Sequence, residues 1–122
     1  IALSLPGDVF GPAQNMHGAT YIVDAEFFSE NVNKYNIIMD LGVVTNILAE
    51  VLKFYSYKNL DEVDEFKDII TSTEFLAKDI HERICDRLKK DFNEDYQTLH
   101  KLKITLTESN VAWASFEKEI DK

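Results

Sequence analysis

The residues in this chain whose types and spacing suit chemistry are a few carboxylates, three histidines and one cysteine. Glu108 stands out first. It follows Leu102, Ile104 and Leu106 at a spacing of two, in phase with them and out of phase with Lys101, Lys103, Thr105 and Thr107. A carboxylate on the apolar face of a strand is costly unless paired. Glu108 therefore either waits for the donors of a ligand or sits at a frayed strand end beside a turn. Glu74 closes Thr71-Ser72-Thr73-Glu74, a capping box in which the glutamate at the third helical position bonds back to the cap. His81 and Cys85, four apart, share one helix face as the ligands of a helical zinc motif do. No third ligand accompanies them, so Cys85 reads as a small core residue beside Ile84 and Leu88. His100 precedes a strand and reads as exposed. The acidic run Asp61–Asp68 lacks the Gly-turned spacing of a calcium loop and reads as a solvated loop. Trp113–Phe116 alternates as a strand and needs no cofactor to explain it.

The elements that position these groups follow from periodicity. Glycine and proline gather between Pro6 and Pro12, which marks a loop. From Ala19 to Phe28, Tyr21, Val23, Ala25 and Phe27 share one face, while Thr20, Ile22, Asp24, Glu26 and Phe28 take the other. That alternation, rich in β-branched and aromatic residues, predicts a strand. Ser29–Asn36 reads as a turn and Ile37-Ile38-Met39 as the returning strand. Asp40 is placed to cap a helix carrying Val44, Ile47, Leu48, Val51 and Leu52 at helical spacing. A second helix starts near Thr71, with Leu76, Ile80, Ile84 and Leu88 every four residues. Arg87, Lys89 and Lys90 crowd its end, where the helix dipole favours cations. Strands through Leu102–Leu106 and Val111–Glu117 flank a turn at Ser109-Asn110. The order β-β-α-α-β-β predicts an α+β fold, an antiparallel sheet with two helices packed on one face.

Bulk composition bounds the function. The 122 residues suit a single domain over 1–122 with its own core. A net charge of -9 argues against non-specific affinity for nucleic acid or anionic membrane. The lone Cys85 excludes an internal disulfide framework and fits a reducing, cytoplasmic setting. No apolar run approaches the ~20 residues of a membrane span. Ile1–Leu5 is too short for a signal peptide, and the N-terminal strand is expected to be incomplete.

Phe10-Gly11-Pro12-Ala13-Gln14-Asn15-Met16-His17-Gly18-Ala19-Thr20-Tyr21 resembles the segment that opens the second strand in the 6-pyruvoyltetrahydropterin synthase and 6-carboxytetrahydropterin synthase family. The usual pattern there is a cysteine, three residues, then His-Gly-His-Asn-Tyr. Three further stretches match in order: Ile38-Met39-Asp40-Leu41-Gly42, Tyr55-Ser56-Tyr57-Lys58-Asn59-Leu60, and Thr73-Glu74-Phe75-Leu76-Ala77. Leu106-Thr107-Glu108 matches the family's carboxylate near the end of the third strand. The resemblance covers nearly the whole chain and implies the tunnelling fold.

It also implies a site. Family members hold zinc with three histidines, one on the first strand and two in His-Gly-His, which is the geometry of a catalytic zinc. Here Leu3, in Ala2-Leu3-Ser4-Leu5, and Ala19 stand at two of those positions, leaving His17 as the one retained ligand. One imidazole does not hold zinc tightly, so the usual zinc cofactor is not expected. The family's proton relay of a cysteine with an Asp-His pair falls on Ala13, Ser56 and Tyr57. Tyr57, with a reference pKa near 10, is a poor base at neutral pH. It can donate a proton or a hydrogen bond, or simply pack at the rim of the site. The resemblance places Glu108 on the amino-pyrimidine edge of a pterin through two parallel hydrogen bonds. Glu74 lies in a pterin-contacting segment, and Gln14 and Asn15 precede His17 where they could line the pocket. The implied partner is a pterin or purine-like small molecule in a homo-oligomer, trimer or hexamer, with sites between subunits. Three readings follow: a divergent lyase on a dihydropterin triphosphate, a pterin-binding paralogue without turnover, or a structural or regulatory oligomer.

Overall fold

A computed structural model describes residues 1–122. Its centre is an antiparallel sheet of β3 (Ile22–Phe28), β4 (Lys101–Ser109) and β5 (Ala112–Glu119), with β4 in the middle. β3 pairs with β4 from Ile22 opposite Thr107 to Phe28 opposite Lys101. The alternation read in the sequence decides the faces. Leu102, Ile104 and Leu106 are buried, while Lys101, Lys103, Thr105 and Thr107 lie on the outer side. A second, short ladder joins β1 (Ala2–Leu3) to β2 (His17–Gly18). Only Ala19–Tyr21 separates β2 from β3, so residues 17–28 act as one broken strand. Paired with β1 at its start and β4 along its body, it is the second of the two leading strands, after β1, whereas the sequence pattern puts the second at Ile37–Met39.

Helix α1 spans Leu41–Lys53, α2 spans Thr73–Asp91, and a short α3 spans Asn93–Thr98. Asp40 caps α1 as its position predicted, its carboxylate accepting from the Val43 amide at 3.0 Å. The four-residue stripe of α2 is buried in full: Leu76, Ile80, Ile84 and Leu88 all enter the core. Helix α2 lies across β4 and β5, and α1 packs on α2. Phe54, Tyr55, Phe66 and Phe75 close the far end of this layer in edge-to-face and stacked contacts.

Three local expectations are corrected. Ile37–Met39 forms no strand. The Asn33 side chain accepts from the Tyr35 amide at 2.8 Å, and the Asn33 amide donates to the Ile37 carbonyl at 2.9 Å. That turn spends the backbone groups a ladder needs, and Asp40 starts α1 immediately afterwards. Met39 is buried as a plug instead. The acidic run is not simply solvated. It makes two 3-10 turns, Leu60–Glu62 and Asp64–Phe66, which bury Leu60 and Phe66. The capping box does not form: Ser72 caps α2, accepting from the Phe75 amide at 3.1 Å, which leaves Glu74 one position short of the third helical residue.

Candidate functional site

A cavity of about 270 Å³ opens between the start of β3, α2 and the loop after α1. Twelve residues line it, ten of them hydrophobic. The broken strand contributes Ala19, Thr20, Tyr21 and Val23. The loop after α1 supplies Tyr55, Ser56 and Tyr57, and Leu106 rises from β4.

Two carboxylates outside the lining lie near its Tyr21. The β4–β5 register shifts between Thr107 and Ser109, so Glu108 occupies a bulge. A bulge leaves its residue out of the ladder and re-aims its side chain. Glu108 is accordingly exposed, in neither the apolar nor the Lys/Thr row. Glu74, on the first turn of α2, is exposed as well. Both act on Tyr21. Its hydroxyl lies 3.3 Å from Thr73 Oγ1. Its pKa is raised chiefly by burial, with the charges of Glu108 and Glu74 adding to the shift and the Thr73 contact opposing it. The two glutamates thus lie close enough to act on the half-buried Tyr21 phenol, which lines the cavity, while neither glutamate lines it itself. Reading the sequence alone did not single out Tyr21. The available signal was a hydroxyl in phase with Val23, Ala25 and Phe27, which needs a partner when that face is covered.

The other groups sit apart. His17 Nδ1 lies 2.8 Å from the Asn15 carbonyl. A carbonyl only accepts, so Nδ1 carries the proton and the Nε2 lone pair is free. Asn15 therefore orients His17 through its backbone, while Gln14 folds back to donate to the Gly11 carbonyl at 3.1 Å. Neither side chain lines the cavity, contrary to the expectation from position. Tyr57 does line its mouth, with φ at 59° and its side chain fully exposed. A left-handed backbone is uncommon for a bulky residue, and packing within this chain does not account for it. Ser56 is spent locally, donating to the Leu52 carbonyl at 3.0 Å. Behind it, Tyr55 donates to Asp79, which also takes Arg83 Nε at 2.8 Å. Burial and Asp79 together push the Tyr55 hydroxyl well above the ordinary tyrosine range.

The His81–Cys85 pair belongs to the opposite side of α2. His81 is buried and its Nε2 donates to the Leu102 carbonyl at 3.1 Å. Its Nδ1 is then the acceptor facing Cys85 Sγ at 3.7 Å. Burial pushes the Cys85 thiol up to about 11 and the His81 imidazole down. This is a neutral, packed pair with no metal-ligand company.

An antiparallel sheet backed by helices, with the site between its broken strand and the loop after α1, defines the tunnelling-fold class. A family model described as 6-pyruvoyl tetrahydropterin synthase matches residues 2–119, and the chain belongs to that family. The structure resembles 6-pyruvoyl tetrahydropterin synthase of Caenorhabditis elegans at 21% identity, over 96% of this chain and 87% of that one, with a TM-score of 0.77. It resembles the Plasmodium vivax protein at 15% identity, over 98% and 90%, with a TM-score of 0.78. The Plasmodium falciparum protein matches at 15% identity over the same shares, with a TM-score of 0.77. At such identities these likenesses establish the fold. No curated protein sequence matches the chain.

The family's zinc can be tested against the donors in place. Leu3 stands directly opposite His17 in the β1–β2 ladder, and Ala19 lies two residues beyond it. The three positions do come together, but they present an isobutyl group, an imidazole and a methyl group. Leucine and alanine have no lone pair to give, and Leu3 is turned into the core at 2% exposure. No cluster of three His, Cys, Asp or Glu side chains elsewhere is placed to hold a metal. The residues do not fit the ion.

Proposed function

We propose that this chain binds a pterin-type ring, with Glu108 accepting two parallel hydrogen bonds from the amino-pyrimidine edge. The observation that carries this reading is the bulge at Glu108, which frees the carboxylate from the ladder within reach of Tyr21 in the cavity wall. Glu74 supports it as a second acceptor, released because Ser72 took over the cap. An aromatic ring with an edge of donors suits an apolar cavity beside two carboxylate acceptors. The test is fluorescence titration with 6-methylpterin. Binding lost in Glu108→Gln, with circular dichroism unchanged, supports the reading; equal binding by both proteins sinks it.

A divergent lyase of the family's carbon–oxygen type is the second reading, and Tyr57 favours it. A fully exposed phenol in a left-handed backbone at the cavity mouth is an acid without a structural task in this chain. The relay positions Ala13 and Ser56 count against it, since one cannot titrate and the other is bonded to Leu52. Incubation with dihydroneopterin triphosphate, followed by product analysis, separates the readings: turnover lost in Tyr57→Phe establishes the lyase.

A homo-oligomer, trimer or hexamer, completes the proposal. Ile22 and Trp113, 65% and 63% exposed, flank Thr107 in one cross-strand row on the outer face of the sheet. Light scattering reads the assembly. A cytoplasmic location suits the unpaired Cys85, and no helix is long and apolar enough to cross a membrane.

A further inference from the structure

We infer that Tyr21 is a ligand-binding residue: its phenol donates a hydrogen bond to the ring carbonyl that adjoins the edge gripped by Glu108. The inference rests on the pterin reading and deepens it, because it names a second contact and requires an acceptor beside the ligand's two donors. Placement comes first. Tyr21 lines the cavity, and its charged neighbours Glu108 and Glu74 do not. A ring that reaches from the apolar walls to a carboxylate outside them lies against this phenol.

Hydrogen bonding gives the phenol its task. The hydroxyls of Tyr21 and Thr73 bring two O–H groups to a single contact at 3.3 Å, and neither has another partner. That separation is long for two hydroxyls, which usually approach to about 2.7–2.8 Å. One proton of the pair is left unused. Thr73 does not line the cavity, so the ligand meets whatever Tyr21 presents. The carboxylates set the direction. A hydroxyl dipole turns its hydrogen toward negative charge, here toward Glu108 and Glu74. Thr73 then donates to the phenol oxygen, and Tyr21 offers its hydrogen on the side where a ring held by Glu108 carries its carbonyl. Burial, with the same two charges, raises the Tyr21 pKa, so the donor persists through neutral pH. Thr20 and Tyr57 also bring unpartnered hydroxyls to the lining, but both are exposed and water serves them. Tyr21 is half-buried, and its spare proton is the one that folding leaves short of an acceptor.

The test sets the unaltered protein and Tyr21→Phe against two ligands. One is 6-methylpterin; the other is its 4-thioxo analogue, which keeps both donors to Glu108 and replaces the carbonyl oxygen by sulfur, a weak acceptor. Calorimetry reads the dissociation constants, and circular dichroism checks the fold. One neutral hydrogen bond corresponds to about 2–12-fold in affinity. The unaltered protein should favour 6-methylpterin over the thioxo analogue by a factor in that range. Tyr21→Phe should lose the same factor toward 6-methylpterin and bind the two ligands alike. Unchanged affinity of the folded Tyr21→Phe protein for 6-methylpterin overturns the inference, as does a carbonyl preference that survives the substitution. Equal binding of the two ligands by the unaltered protein overturns it without any variant. In each of these cases the ring reading stands if Glu108→Gln still abolishes binding. An unaltered protein that binds neither ligand sinks the ring reading and the inference together.

Discussion

The two ends of α2 treat polar groups in opposite ways. Toward its C-terminus the groups that are not fully exposed are paired: His81 with the Leu102 carbonyl and Cys85, and Arg87 with Glu50 and Asp91. Toward its N-terminus, Glu74 stays exposed and unbonded, Tyr21 is half-buried with only a long contact to Thr73, and Glu108 stands out of its ladder. Both ends use the same materials of helix, strand and carboxylate. Satisfied pairs tighten a core, whereas unpaired acceptors beside an apolar cavity store binding capacity that folding did not use.

That contrast can be broken by substitution. The largest effect belongs to the packed end. Leu88→Ala, at a position with no exposure, should cost about 2–5 kcal/mol in urea unfolding. An equal loss from Ala19→Leu would erase the distinction, since that position borders open space. At the cavity end, Glu108→Gln should leave the unfolding midpoint nearly unchanged while weakening ring binding by about 1.5–3 kcal/mol, the range for hydrogen bonds to a charged acceptor. Ser72→Ala sharpens the comparison, because Ser72 caps α2 at its site end. Loss of this cap should cost about 1 kcal/mol, read by the same unfolding curves. The smallest effect is a shallow acid slope. Burial lowers the folded His81 pKa, so the unfolded chain takes up the proton first, near pH 6.5. Stability from this residue is complete above that pH and declines as the pH falls toward the folded pKa. His81→Gln should flatten the slope.

Much of the fold was legible because its signals are redundant. The α2 stripe, the Asp40 cap and the alternating faces of β3 and β4 each agree with pattern, propensity and end residues. Ile37–Met39 misled because three β-branched and apolar residues satisfy a strand pattern equally well as a short plug. The Asn33 turn that prevents pairing leaves only a weak mark in sequence. The phase of Glu108 was visible and placed it on the apolar side; the bulge that frees it was not. A one-residue register shift depends on how β5 returns, which no local pattern encodes. The capping box failed by a single position because Thr71 and Ser72 are both competent caps. Thr71 is buried instead, its hydroxyl without a partner.

The N-terminal strand ties three distant stretches together. Ala2 donates to the Lys58 carbonyl at 2.9 Å, the Ser4 amide to Asp61 at 3.0 Å, and the Ala19 amide to the Ile1 carbonyl at 3.0 Å. The cavity wall at Ala19 and the mouth at Ser56–Tyr57 therefore hang from one short crosspiece. Outward movement of either is opposed by the hydrogen bonds of this strand, so wall and mouth are tied to it as a unit.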